Sequence, residues 1–160
     1  MILGMLGQAQ AVVVIDQHND GPFSGGFTLN AAPIGQGFIP GISGLDFVDL
    51  LVNDQNPGFG TGDDIAVRIR ESDIAGTILG TSDNVFFADQ VSMPSFQLPK
   101  EVRFAFSTTV ALTPGNTYVI EIFRNGANSS DLGIFGTGFN IDSYVPGVSF
   151  FMGAQYKWHR

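Results

Sequence analysis

The chain has no cysteine. That excludes disulfide staples, cysteine-ligated zinc and a thiolate nucleophile together. Histidine is nearly as scarce, with His18 and His159 the two examples, far apart in the chain. No serine stands in a nucleophile-elbow context and no glycine-rich phosphate loop is present. The expectation is therefore a protein that is not an enzyme. Lysine occurs only at positions 100 and 157, charged residues make up 14%, and the formal charge is −8. So acidic a surface repels phosphate backbones and anionic lipid, which argues against a nucleic-acid partner. No apolar run approaches the roughly 18 residues of a spanning helix, and no segment sustains apolar residues at helical spacing.

What the chain has is glycine and phenylalanine, 21 and 15 residues, within 44% hydrophobic content. Short period-two segments separated by turn clusters account for both. Val12–Ile15, Ile34–Ile39, Leu45–Val52, Ile65–Glu71, Thr77–Thr81, Val85–Phe87, Val102–Phe106 extended by Val110–Leu112, Tyr118–Arg124, Leu132–Phe135, Val148–Met152 and Gln155–Trp158 read as strands. Phe23–Pro33 reads as a glycine- and asparagine-rich loop, and Asn53–Asp63 as a second long one. In Ile65–Glu71 the alternation sets Ile65, Val67 and Ile69 on one face and turns Arg68 and Arg70 to water. The fold class is all-β, a two-sheet β-sandwich of jelly-roll-like kind, since two packed sheets each bury one apolar face.

Met1–Ala11 resembles the end of a secretory signal peptide, with an apolar run and a cleavage-like Ala9-Gln10-Ala11. The same stretch, continued through Ile15, also reads as an apolar β-compatible arm. Residues 1–15 are expected to be a signal remnant or an N-terminal β-arm, residues 16–160 a single sandwich domain, and the protein to be secreted.

Several pieces in order resemble a β-sandwich domain of secreted bacterial proteins, the kind found in PEP-CTERM-sorted surface proteins. They are Ile34-Gly-Gln-Gly-Phe-Ile-Pro40, Leu45–Leu51, Gly76–Ser82, Val102–Phe106, Val110–Glu121 and Tyr144–Phe151. The resemblance covers residues 34–151, and its most specific piece is Leu112-Thr-Pro-Gly-Asn-Thr-Tyr118. It implies a jelly-roll-like fold similar to carbohydrate-binding modules and names no ligand. It stops short of Lys157-Trp-His-Arg160, which is not a sorting tail.

Four chemistries deserve weighing. The glutamates Glu71, Glu101 and Glu121 all fall on expected strands; a sugar-hydrolysing pair needs carboxyls roughly 5–9 Å apart, and three solvated positions are the plainer expectation. Calcium takes about six to eight oxygens. Its candidate ligands are Asp16, Asn19 and Asp20 in the first turn, and Asp54, Asp63 and Asp64, with Asn53, around the long loop. None has helix–loop–helix spacing, and Asp and Asn are also ordinary turn residues. Sugar stacking needs exposed aromatics beside polar groups; Trp158, Tyr156, Tyr144 and Phe59 are the candidates, with Phe23 and Phe27 in the glycine-rich loop. Assembly would use Val12, Val13, Val14 and Ile15 as a strand added to a neighbour's sheet edge. The leading expectation is an extracellular, non-catalytic structural protein that self-assembles through strand contacts as a filament or matrix subunit. The alternative is a carbohydrate-binding module with a structural calcium. The partners are copies of itself or surface polysaccharide.

Overall fold

The computed structural model describes residues 14–16, 23–29, 33–54, 62–89, 100–125, 132–137, 148–151 and 154–157 of the 160. They form eleven strands: β1 Phe23–Thr28, β2 Ile34–Phe38, β3 Gly44–Asp54, β4 Gly62–Glu71, β5 Ile78–Thr81, β6 Val85–Ala88, β7 Lys100–Ala111, β8 Tyr118–Arg124, β9 Leu132–Thr137, β10 Val148–Phe151 and β11 Ala154–Lys157. Two antiparallel sheets result. One has the order β1-β9-β3-β7; the other runs β11-β10-β2-β8-β4-β5, with β6 also paired to β4. The chain is an all-β sandwich, and no helix among the described residues is long and apolar enough to cross a membrane.

The inner faces follow from period two. On β4, Ile65, Val67 and Ile69 are fully buried, and on β8 Ile122 joins them. From the other sheet come Val48 and Val52 of β3 and Phe104, Phe106 and Val110 of β7, all in one apolar cluster. Each position was removed from water because its neighbours of like parity were, the driving force being about 25 cal/mol per Å² of apolar area.

The turn after β7 is built as its residues require. Gly115 holds φ +86, the left-handed region that favours glycine. Its N–H donates to the Pro40 carbonyl, and the Leu112 N–H donates to that of Ser43. The buried Tyr118 hydroxyl accepts from the Thr113 N–H at 2.9 Å. The turns before β3 and before β8 therefore meet at one end of the sandwich.

Three expectations need correction. Phe23–Thr28 is a strand, paired with β9 in register Gly26↔Phe135 and Phe27↔Ile134. Glycine weakens a strand by only about 1 kcal/mol, less than a full ladder returns. The Asn53–Asp63 loop is shorter at both ends, because β3 runs to Asp54 and β4 starts at Gly62. Val14 and Ile15 are not in a strand; β-branched residues favour extended backbone, but a strand also needs a paired neighbour. Val12 and Val13 lie outside the described residues.

Candidate functional site

The seven-stranded sheet ends on an edge made in two parts. β5 pairs with the second half of β4, from Arg68↔Thr81 to Arg70↔Ile78, and β6 with the first half, from Gly62↔Ala88 to Ile65↔Val85. Between them Ser82 completes the ladder with its side chain. Its hydroxyl accepts from the Val67 N–H at 2.9 Å and donates to the Asp83 carbonyl at 3.0 Å, while its own N–H donates to the Val67 carbonyl. The edge is apolar: Ile78, Leu79 and Phe86 are exposed, Phe86 at 57%.

The four-stranded sheet ends alongside on β7, which among the described residues is laddered with β3 alone. One hydrogen bond joins the two edges, from the Asp83 N–H to the Ala105 carbonyl at 2.9 Å. Continuing that antiparallel register sets Val85 against Arg103 and Ala88 against Lys100. Those positions do not pair. Instead Val85–Ala88 and Lys100–Arg103 line a groove of about 430 Å³. Free strand edges flank it on both sides, one from each sheet, and sheets manage such edges because they template added strands. On the β7 side the groove carries the charged residues Lys100, Glu101 and Arg103, and further along β7 a bulge lies opposite Leu45–Phe47.

Of the assembly residues, Val14 and Ile15 lie at the opposite end. Val14 and Ile15 are 64% and 68% exposed. Just after them, the Asp16 carboxylate accepts from the Gly41 N–H at 2.8 Å. This bond fixes where the arm leaves the fold, beside the turn before β3.

The remaining candidates divide. Asp16 is that cap; Asn19 and Asp20 lie outside the described residues. Asp54 and Asp63 are buried, 2% and 0% exposed. Asp63 shares the parity of Ile65 and so faces the core, whereas Asp64 faces the other way; one three-carboxylate site cannot form from this adjacent pair and Asp54. Among the described residues no three carboxylates or imidazoles converge. Asp63 meets Arg124 Nε at 3.3 Å, yet neither of its oxygens has a hydrogen bond of good geometry. Burial pushes its pKa up, opposed by the Arg124 charge and the Asp64 N–H and aided by the Asp64 carboxylate.

The glutamates correct the expectation of three solvated positions. Glu71 and Glu101 are exposed, but Glu121 is 5% exposed on the outer face of the seven-stranded sheet. Arg70 Nε donates to it at 2.6 Å and Arg68 lies at 3.9 Å, so those arginines do not simply face water. Arg70 also donates to the Gly76 carbonyl at 2.9 Å, which draws the β4–β5 turn over the sheet and sets buried Ile74 on Val119. Glu71 and Glu121 occupy opposite faces of their sheet, and Glu101 belongs to the other sheet. Arg68 stacks 3.7 Å over Phe123, and Arg103, held by two bonds to Asp49, stacks 3.9 Å over Phe47. Both rings are thereby covered. Trp158, Tyr144 and Phe59 lie outside the described residues; Tyr156 is placed on β11, opposite Ser149. Phe23 and Phe27 are placed on β1.

Sequence reading missed the β6–β7 groove and Phe86. Its signal was present in Val85-Phe-Phe-Ala88, four consecutive apolar residues on so short a strand that both faces could not be buried. No family model, curated protein or solved structure matches the chain.

Proposed function

We propose that this chain is an extracellular structural protein that associates with copies of itself through β-strand contacts, its apolar arm Val12–Ile15 acting as the donated strand. The observation that carries this reading is the exposure of Val14 and Ile15, 64% and 68%, immediately before the Asp16–Gly41 anchor. Large β-branched side chains left in water gain from any sheet edge that covers them, and main-chain hydrogen bonds add to that gain. The arm also suits a strongly acidic chain: residues 1–15 carry no charged side chain, so this segment approaches a second copy without the repulsion that a −8 surface otherwise imposes. Secretion and surface association follow the signal-like Met1–Ala11 and the resemblance to sorted surface domains. The carbohydrate alternative draws no support from Phe47 and Phe123, whose rings are occupied by arginines.

Val14→Asp and Ile15→Asp test the reading, because both positions are exposed and the fold tolerates a charge there. Sedimentation velocity should show concentration-dependent association for the natural chain and a monomer for each variant. Association that persists unchanged in both variants would remove the arm from the account.

A further inference from the structure

The groove between β6 and β7 has the form of a strand slot. It is lined by four residues of each flanking strand, Val85–Ala88 and Lys100–Arg103, and Val12–Ile15 is four residues long. At about 3.3 Å per residue the three segments match in length. We propose that this groove receives the Val12–Ile15 arm of a second copy, so that the arm joins the two free sheet edges and copies add head to tail. This rests on the self-association reading and goes beyond it by naming the acceptor.

Geometry excludes the arm of the same copy. Asp16 is held at Gly41, beyond the end of β3 that pairs Gly44 with Ala111. The groove begins at Arg103, opposite Asp49, and ends at Lys100, opposite Val52. Those points lie five and eight residues along β3 from Gly44, about 17 and 26 Å. Val12 is four residues from Asp16 and reaches at most about 14 Å. Val12–Ile15 therefore cannot lie along the groove of its own copy.

Chemistry favours the same occupant. Successive arm residues face opposite ways, so one apolar pair, Val12 with Val14 or Val13 with Ile15, meets exposed Phe86 on the outer face while the other pair meets partly buried Val85 and Val102 on the core side. The rim carries Lys100 beside Glu101, with Arg103 already paired to Asp49, so it sets no net charge against an uncharged arm. Donor and acceptor are different surfaces at opposite ends of one molecule. Such a heterologous contact leaves a free donor and a free acceptor on every complex, and it grows into an open chain unless its rotation closes a ring.

A mixing experiment decides it. Phe86→Asp spoils the acceptor on a side chain that is already in water, and Val14→Asp spoils the donor; each alone should weaken association at least about thirtyfold, as a lost interface anchor does. Mixed in equal amounts, the two variants should form a one-to-one heterodimer that grows no further, since one supplies the only good arm and the other the only good groove. If the natural chain associates and Phe86→Asp associates equally well, the acceptor lies elsewhere and only this inference fails. If Phe86→Asp is monomeric but Val14→Asp still pairs with itself, the edges meet symmetrically and the head-to-tail contact is wrong. If the natural chain is monomeric at every concentration, the underlying self-association reading fails with it.

Discussion

Glu121 and Arg70 form a 2.6 Å ion pair on the outer face of the seven-stranded sheet, where the glutamate side chain is 6% exposed and the arginine 15%. A carboxylate so nearly dry is stabilised by its arginines, and removing them strands it. The same arginine ties down the Gly76 carbonyl, so the pair organises the β4–β5 turn as well as neutralising a charge.

Glu121→Ala is expected to destabilise the fold by about 2–4 kcal/mol, the lower end reflecting the partial exposure of Arg68. Arg70→Met combined with Glu121→Leu should cost less than the sum of the single changes. Urea denaturation of the four proteins measures the coupling. Additive losses would mean that the two side chains act independently.

Asp63 gives a pH dependence whose sign is fixed by its raised pKa. The folded chain holds this proton more tightly than the unfolded chain. Its contribution to stability is therefore fully present below the ordinary value of 3.8 and is lost as pH rises through the elevated folded value. Asp63→Asn should be at least as stable as the natural chain at pH 7, with that advantage shrinking toward pH 4. Chemical denaturation of both proteins across that range provides the test. A variant clearly weaker at pH 7 would show that attraction to Arg124 outweighs burial.

Gly76 and Gly115 should respond differently to alanine. A Cβ on Gly76 would fall 1.7 Å from the Glu71 carbonyl oxygen, whereas one on Gly115 meets nothing within 4 Å. Gly115→Ala should cost about 1–2 kcal/mol for its left-handed backbone alone. Gly76→Ala should cost more, because backbone must move. Thermal melts that ranked them the other way would contradict the described turn.

Ser82→Ala should cost about 1–3 kcal/mol, since it leaves the buried Val67 N–H without its acceptor. Hydrogen exchange at Val67 should quicken before that of Ile69, whose ladder neighbours are intact. Equal protection at Val67 in both proteins would show that the hydroxyl does not complete the ladder.

Much of the fold was legible because strand alternation is a local property. Tyr118–Arg124 was readable to the residue, and the parity of Ile65, Val67 and Ile69 gave the core face of β4 directly. Parity does not reveal whether the opposite face is covered, so Glu121 and its arginines read as solvated until the β4–β5 turn was seen folded over them. Asp63 was misread as loop, although it continues the parity of Ile65 and Arg124 continues that of Ile122; charge at a strand end masked the period. Phe23–Thr28 was hidden by glycine, because its strand character comes from pairing with β9, some 110 residues away in the chain. The β6–β7 groove was out of reach for a related reason: it is formed by two sheets failing to join, which no single segment records.

Self-association of the natural chain is the claim on which the rest depends, and light scattering across a wide concentration range measures it most directly. The molar mass should climb steadily above that of one 160-residue chain as concentration rises, without stopping at a dimer. A constant monomer mass throughout would contradict the account.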